Sequence, residues 1–322
     1  ESTLKVPCTR AVVTVPAYQD FDIDYKARVR EAAMSAEPLF VSISTIAEPD
    51  AVLLSMGDLS QYYGKTVLVF DMGGGTLDVS VRDVDERDGR PFLSHRAVDG
   101  SDAAGRRVTD ALSDRVLDAW ERKHGFTFTD EERVIARRIN HVPIDEAKRH
   151  LSSLAAHHGP DSDKAFNCKM HFPGRGTGTF TTGITAKELT KLSRPMCEAA
   201  METVEKTLAL GGMTPGDVGG YFMVGGSSRL PLMESMLREL FGRAPEPLHG
   251  PVGNVDSTLA VSRGAAIDDL ERDDDAHVPA TRPVLERKLP YAVSLLVDAR
   301  RSTKCLIPAD SALPFGPVSE TF

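Results

Sequence analysis

A glycine triplet between two alternating apolar runs constrains the fold of this 322-residue chain more than any other feature. The run Thr66–Phe70 leads into Asp71, and Gly73–Gly75 separate it from a second run, Leu77–Val81. This pattern predicts a β-hairpin whose turn has no side chains. The backbone N–H groups of such a turn can converge on an anion such as phosphate. The alternative is an ordinary glycine-rich turn flanked by solvated acids.

Two acids and a hydroxyl group flank the predicted turn. Asp71 precedes the glycines, while Thr76 and Asp78 follow them. Carboxylates beside phosphate groups commonly hold a hydrated divalent cation. The segment is not a Walker loop, because no Gly-Lys-Ser/Thr sequence follows the glycines.

A second glycine junction lies about 150 residues downstream. The apolar run Tyr221–Val224 breaks at Gly225 and Gly226, and a helix with an apolar face is predicted from Pro231 to Gly242. Such a junction can bring backbone close to an anionic or flat ligand, although a tight strand–helix connection without a ligand is the simpler alternative. Taken together, the two junctions predict a nucleotide held between two lobes.

Six segments, in chain order from about Arg10 to Ile267, match one family pattern: VVTVPAY (12–18), IAEP (46–49), DMGGGTLDVSV (71–81), DEAKRHLSS (145–153), VGGSSRLP (224–231) and SRGAAI (262–267). The chain thereby resembles the heat-shock protein 70 family. The resemblance implies an α/β fold with actin-like (ribonuclease H-like) ATPase lobes, an incomplete lobe I, a linker and the first strands of a β-sandwich.

The resemblance also implies a site for ATP or ADP with Mg²⁺. In that site Glu48, Asp71 and Thr76 would place the attacking water, and Asp71 would hold the magnesium ion through water. The other implied nucleotide-binding residues are Gly73, Gly74, Gly75, Asp78, Asp145, Lys148, Arg149, Ser152, Gly225, Gly226, Ser227 and Arg229. We expect both glycine junctions to line one cavity with Glu48, Asp71, Lys148 and Arg149.

The resemblance and the composition together divide the chain into five parts: 1–64 as partial lobe I, 65–245 as lobe II, 246–270 as the return to lobe I, 271–289 as the linker, and 290–322 as the start of a peptide-binding β-domain. The linker is charged and punctuated by proline. Three charged residues at 286–288 are expected to disfavour its apolar docking against lobe II.

Local patterns predict the elements within these parts. Residues 1–64 are expected to form a strand, a helix at about 25–36 and a second strand, and 105–153 to form two helices. Pro143 is expected to kink or break the second of these helices. The segment Thr185–Glu188 is a capping-box pattern that predicts the start of a long helix. Beyond the linker, 291–297 and 304–307 are expected to be strands.

Several positions depart from the family pattern around the expected cleft. Only Gly105 remains of a glycine pair, Arg106 and Arg107 replace acids, and Thr258 replaces an aspartate. These changes suggest slow ATP turnover. The resemblance also implies that a first phosphate hairpin and a catalytic lysine lie upstream of Glu1. We therefore expect a fragment or natural truncation that does not hydrolyse ATP at a useful rate by itself.

Composition excludes some functions. The net charge of −9 argues against nucleic-acid binding, which needs a basic surface. No run of about eighteen apolar residues is present, so no membrane association is expected. Four scattered cysteines, Cys8, Cys168, Cys197 and Cys305, fit free thiols in a reducing compartment. This favours the cytoplasm, with an organelle lumen as the alternative.

Three functional hypotheses follow. The favoured one is an ATP-dependent chaperone that captures and releases unfolded client polypeptides, with J-domain co-chaperones and nucleotide exchange factors as partners. The second is a catalytically weak nucleotide-binding relative that acts as a co-chaperone or exchange factor. The third, another actin-like ATPase such as a sugar kinase, agrees poorly with the VPAY segment and with the residues after 289.

Overall fold

The computed structural model describes residues 10–17, 23–36, 42–173, 178–250 and 253–271, and short strands between 284 and 313. The described α-helices are α1 (Ile23–Ala36), α2 (Glu48–Ser55), α3 (Gly105–His124), α4 (Asp130–Ile139), α5 (His141–His158), α6 (Ala186–Leu210), α7 (Pro231–Phe241) and α8 (Ala260–Glu271). The described strands are β1 (Arg10–Val15), β2 (Ser42–Ala47), β3 (Lys65–Met72), β4 (Leu77–Arg87), β5 (Arg90–Ser101), β6 (Ala165–His171), β7 (Thr179–Thr185), β8 (Val218–Val224), β9 (His249–Gly250), β10 (Gly253–Asn254), β11 (Val284–Leu285), β12 (Arg287–Lys288), β13 (Val293–Leu296), β14 (Thr303–Ile307) and β15 (Ala312–Leu313).

The first part of the chain contains the predicted strand, helix and strand. Strands β1 and β2 pair in parallel, with α1 between them in sequence. Helix α2 follows β2 directly and was not predicted. Its residues Pro49 and Ala51–Ser55 are all buried, so the segment lacks the broad polar face that makes a helix visible in a sequence.

The central sheet has five strands in the order β11-β5-β4-β3-β8. The predicted hairpin is confirmed, because β3 and β4 pair antiparallel, with Asp71 opposite Asp78 and Met72 opposite Leu77. Strand β8 lies parallel to β3, and this pairing places Val224 beside Asp71. The two glycine junctions therefore follow neighbouring strands at the same edge of the sheet.

The two faces of the sheet contact different cores. Leu68, Phe70 and Met72 pack into the larger core, to which helices α3, α5, α6 and α7 contribute. Val67 and Val69, which alternate with them, pack into a second core with residues of α2 and α8. Burial on both faces explains why β3 is an almost continuous apolar run.

Residues 105–158 form three helices, not the two that the sequence predicted up to residue 153. The break is at Asn140, between α4 and α5, and Pro143 lies in the first turn of α5. Proline is tolerated there because the first-turn N–H groups have no partner within the helix. The Asn140 side chain bonds to the backbone of Ala136 and of His171, which fixes the break against β6.

Two other helix predictions are confirmed. Helix α6 begins with a capping box in which the Thr185 hydroxyl accepts from Glu188 N (3.1 Å) and the Glu188 carboxylate accepts from Thr185 N (2.9 Å). Helix α7 begins at Pro231, and the residue after it, Gly242, has the left-handed conformation of a helix C-terminus. None of the helices in the described ranges is long and apolar enough to cross a membrane.

The last described segments return to the sheet and then form short strand pairs. Helix α8 packs against α2 and β1, and β11 pairs in parallel with β5, where Leu285 lies opposite Leu93. The three charged residues at 286–288 therefore do not prevent the pairing of β11 with β5. Strands β13 and β14, which overlap the two predicted strands, pair antiparallel, while β12 pairs with β15. Most of the expected linker lies outside the described residues. Cys8, one of the four cysteines, also lies outside them.

Candidate functional site

The turn of the β3–β4 hairpin is held by its own backbone and by the start of α3. Gly73 N donates to Thr76 O (3.0 Å) and closes the turn. Gly105 N and Arg106 N, the first amides of α3, donate to the carbonyl oxygens of Gly73 (3.1 Å) and Gly74 (2.7 Å). These amides have no partner within their helix, so the turn and the helix N-terminus stabilise each other.

The second junction packs directly on the end of β3. Gly225 has φ +83°, and a Cβ there would lie 2.4 Å from Met72 O and 2.8 Å from Asp71 Oδ1. Its N–H donates to Ser257 O (3.3 Å). Only glycine fits this conformation and this approach. The contact brings Gly226 and Ser227 close to the hairpin turn.

Both glycine junctions line one cavity of about 600 Å³. The lining residues are Gly74, Asp145, Lys148, Arg149, Ser152, Ser153, Ala156, Gly226, Ser227, Arg229, Leu230 and Thr258. The cavity thus brings together eight of the residues proposed from the sequence. Its size falls within the range that small-molecule sites occupy.

Helix α5 forms one wall of the cavity with a cluster of charged side chains. Asp145 pairs with Lys148 (2.7 Å) and Arg149 (2.6 Å). Lys148 is 8% exposed and also donates to Thr109 Oγ1 (2.9 Å), whereas the Arg149 side chain is 71% exposed. Burial would raise the pKa of Asp145, but the bonds to the two cations outweigh it and lower that pKa.

The sequence did not identify four lining residues as ligand contacts: Ser153, Ala156, Leu230 and Thr258. The first two were detectable, because Asp145, Lys148, Arg149, Ser152, Ser153 and Ala156 follow the three- and four-residue spacing of one helix face. Thr258 stands out in the sequence only as a departure from the family pattern. Leu230 follows the second glycine junction and has no distinctive signal in the sequence.

Seven predicted site residues do not line the cavity: Glu48, Asp71, Gly73, Gly75, Thr76, Asp78 and Gly225. Glu48 and Asp71, which were expected in its walls, are not among the residues that line this cavity, and their part in a nucleotide site stays a prediction. Asp71 and Asp78 lie opposite each other at the end of the hairpin stem, and both are buried. Glu48 is the first residue of α2, and its charge acts on both aspartates.

The three carboxyl groups form an acidic cluster in which Asp71 and Asp78 are buried and Glu48 is half-buried. Burial, the charge of Glu48 and the charge of Asp78 raise the pKa of Asp71 to about 7. Burial and the charge of Glu48 likewise raise the pKa of Asp78 to about 7, against the bond from Ala17 N to Asp78 Oδ1 (2.6 Å). Burial also raises the pKa of Glu48, despite a hydrogen bond with Thr14. Each added negative charge disfavours ionisation of the others.

The acidic cluster contains an unpaired acceptor. Asp78 Oδ2 is buried and has no hydrogen-bond partner among the residues that the structure describes. A buried carboxylate oxygen normally has one, so this atom fits a water molecule or cation at the site. Within the described part of the chain, no three His, Cys, Asp or Glu side chains are arranged as direct ligands of one metal ion.

The fold and the cavity define the class of protein. A hairpin turn and a strand–helix junction meet over one cavity, with an acidic cluster beside the hairpin and α2 and α8 packed on the far face of the sheet. These features are those of an actin-like ATPase domain, of which the described elements form part.

Comparison with known proteins identifies the family. The family model described as Hsp70 protein matches residues 1–269, and the chain belongs to the Hsp70 family. It is 28% identical over 258 residues to the chaperone protein DnaK of Nitrosopumilus maritimus (strain SCM1), with 80% of this chain and 37% of the relative covered. It is 30% identical over 266 residues to the chaperone protein DnaK 1 of Synechococcus sp., with 81% and 32% covered. The chain spans about a third of the length of these curated relatives.

Proposed function

We propose that the cavity binds ATP or ADP, with the phosphate groups at the hairpin turn and the purine against helix α5. The observation that supports this most is that Gly74, Gly226 and the polar face of α5 line one cavity. The glycines let backbone approach a phosphate chain closely, and α5 supplies cations beside it. Membership of the Hsp70 family supports nucleotide binding independently.

The residues of the α5 wall suit the adenosine end of the ligand. The exposed guanidinium of Arg149 is planar and can stack on a purine while it stays paired with Asp145. Arg229 is held on the other side by Asp256 (2.6 Å) and Ser257 (3.0 Å). Both arginines are therefore oriented by partners, which reduces the entropy lost when a base binds between them.

The acidic cluster is the proposed position of the magnesium ion. Bound Mg²⁺ would neutralise phosphate charge and lower the pKa of coordinated water. Asp71 and Asp78 would accept hydrogen bonds from its water shell, and the unpaired Asp78 Oδ2 is one such acceptor. Glu48, Asp71 and Thr76 would orient the attacking water, since phosphoryl transfer depends chiefly on positioning and charge.

For the whole protein we propose the activity of an ATP-dependent chaperone. Nucleotide binding and hydrolysis would drive capture and release of unfolded polypeptides, assisted by J-domain co-chaperones and nucleotide exchange factors in the cytoplasm. The relatives in the comparison are described as chaperone proteins, which supports this proposal. The departures at Arg106, Arg107 and Thr258 leave a nucleotide-binding co-chaperone as the second candidate, and Thr258 lines the cavity.

The test is isothermal calorimetry of the chain with ATP and ADP, with and without Mg²⁺. A Cβ at Gly74 meets nothing within 4 Å, and Gly74 does not have positive φ, so we expect Gly74→Val to fold normally. The valine should still abolish binding, because its side chain would occupy the position of the phosphates.

A matched control is Gly216→Val, at an exposed glycine outside the lining of the cavity. This variant should bind nucleotide as the wild type does. Arg149→Ala should weaken binding by about tenfold through loss of the stacked guanidinium. Unchanged affinity in a folded Gly74→Val variant would reject the assignment of the phosphates to this turn.

A further inference from the structure

A buried arginine on the hairpin contacts the helix that begins with Glu48. Arg82 lies on β4 and is 5% exposed. Its Nε and Nη2 atoms donate to Asp50 Oδ1 at 3.1 and 2.7 Å. The Nη1 atom donates to Ser80 Oγ and to Val81 O (3.2 Å). The guanidinium thus joins the central sheet to the first turn of α2.

The alternation of β4 explains why this arginine faces α2. Leu77, Val79 and Val81 point into the larger core on one side of the sheet. The residues that alternate with them along the strand, which include Asp78 and Arg82, point to the opposite face of the sheet. The same face therefore presents a carboxylate of the acidic cluster and, four residues further along the strand, the guanidinium that contacts α2.

Asp50 is close to Glu48 in both sequence and structure. Glu48, Pro49 and Asp50 are the first three residues of α2, and the residue before them, Ala47, provides no side-chain cap. The carboxylate of Asp50 is 23% exposed, so its bond to Arg82 is shielded from water on most sides. A contact at Asp50 consequently sets the position and direction of the turn that contains Glu48.

We propose that Arg82 and Asp50 form a positioning pair that fixes the first turn of α2 and thereby holds Glu48 against Asp71 and Asp78. The pair does not touch the nucleotide cavity, and it acts on the magnesium end of the site through α2. The first part of this inference concerns the fold alone. The second part, an effect on magnesium-dependent nucleotide binding, rests on the proposed function.

The test uses three variants of the chain. Arg82→Met leaves the half-buried Asp50 carboxylate without its cation and is expected to destabilise the fold. Arg82→Met/Asp50→Asn removes both charges, a change that often leaves stability near the wild-type level. Arg82→Lys keeps one charged donor but not the planar fork that reaches three acceptors, so an intermediate effect is expected. The control is Arg238→Met/Glu234→Gln, which removes an exposed ion pair from α7.

Two measurements separate a positioning role from a structural one. Hydrogen exchange of the amides at 52–55, followed by mass spectrometry, should accelerate about tenfold in the folded double variant but not in the control. Calorimetry gives the factor by which Mg²⁺ strengthens ADP binding, and this factor should be about tenfold smaller in the double variant than in the wild type. The ADP affinity measured in EDTA should be the same in both. Arg82→Lys should differ less from the wild type than the double variant does, both in the exchange rate and in the effect of Mg²⁺ on ADP affinity.

The outcomes are distinguishable. Wild-type exchange at 52–55 in a folded double variant would overturn the inference. Faster exchange with an unchanged magnesium effect would also overturn it, because α2 would then move without consequence for Glu48. A wild-type chain that binds no nucleotide would overturn the proposed function, and the exchange measurement alone would then decide whether the pair fixes α2.

Discussion

Gly225 illustrates how one backbone position determines the geometry of the candidate site. Its φ of +83°, and the 2.4 Å that would separate a Cβ at this position from Met72 O, exclude any side chain there. The contact joins the end of β8 to the end of β3, and so it sets the distance between the two glycine junctions. A change at this position should therefore disturb the fold as well as the site.

We expect Gly225→Ala to lower the free energy of unfolding by about 2–5 kcal/mol, from left-handed strain and overpacking together. The matched control is Gly226→Ala, because Gly226 is exposed and a Cβ there meets nothing within 4 Å. The free energy of unfolding of that control should stay within about 0.5 kcal/mol of the wild-type value. Urea denaturation of the two variants measures both values, and equal stabilities would contradict the explanation.

The acidic cluster leads to a prediction about pH. The pKa of Asp78 is about 7 in the folded chain and about 4 when unfolded. At a pH between these two pKa values, Asp78 keeps its proton in the folded state but has lost it in the unfolded state. Stability therefore falls as pH rises from about 4 to about 7 and stays reduced above that range.

We accordingly expect Asp78→Asn to raise the free energy of unfolding by about 1–3 kcal/mol at pH 8, with a gain that disappears near pH 4. The amide oxygen can still accept from Ala17 N, as Asp78 Oδ1 does. Denaturation of the wild type and the variant at both pH values measures the difference. The exposed Asp85→Asn on the same strand is the control, and a gain that is independent of pH would contradict the argument.

At the scale of elements, the packing of α2 on α8 depends on one small residue. A Cβ at Gly264 would lie 1.6 Å from Ala51 O, so the two helices are in backbone contact at this point. Ala51 follows Asp50, which Arg82 binds from the other side. The first half of α2 is therefore held between the sheet and α8.

Gly264→Ala should force the two helices apart and lower the free energy of unfolding by about 3 kcal/mol. A control on the same helix is the exposed Ser262→Ala, for which a change below about 0.5 kcal/mol is expected. Thermal unfolding followed by circular dichroism compares the two. If the Gly264→Ala variant is as stable as the control, the close contact between the two helices does not contribute to stability, and the explanation is contradicted.

At the scale of the whole molecule, one residue of the expected linker joins two cores. Leu285 on β11 packs against the second core of the central sheet and also against a third cluster, which contains Ile46, Ala51 and Ile267. Its strand extends the sheet beside β5. The segment after α8 thus contacts both the sheet and the layer formed by β2, α2 and α8.

We expect Leu285→Asp to detach β11 and lower the free energy of unfolding by about 1–2 kcal/mol, since half of an apolar side chain would lose its burial. Hydrogen exchange in β5 around Phe92 and Leu93 should increase at the same time, because β11 pairs with these residues. The control, Leu210→Asp, replaces a leucine that is already exposed. Unchanged exchange in β5 would mean that the pairing does not persist in solution.

The sequence predicted the elements whose signals are local. The hairpin around Gly73–Gly75, the capping box at Thr185, and the helix between Pro231 and Gly242 all depend on neighbouring residues, and all were predicted. The break near Pro143 was predicted too, although its position at Asn140 depends on side-chain contacts with β6. The actin-like fold and the Hsp70 family were implied by the resemblance of six ordered segments to the family pattern, and the family match confirms the resemblance.

Tertiary structure alone decided how the site residues are distributed. The sequence grouped Glu48 and Asp71 with Lys148 and Arg149, whereas the structure puts these two acids in the acidic cluster, outside the lining of the cavity. It also added α2, the Arg82–Asp50 pair and the strand β11, none of which was predicted. These features depend on contacts between residues far apart in the chain, and local propensity and periodicity contain no information about such contacts.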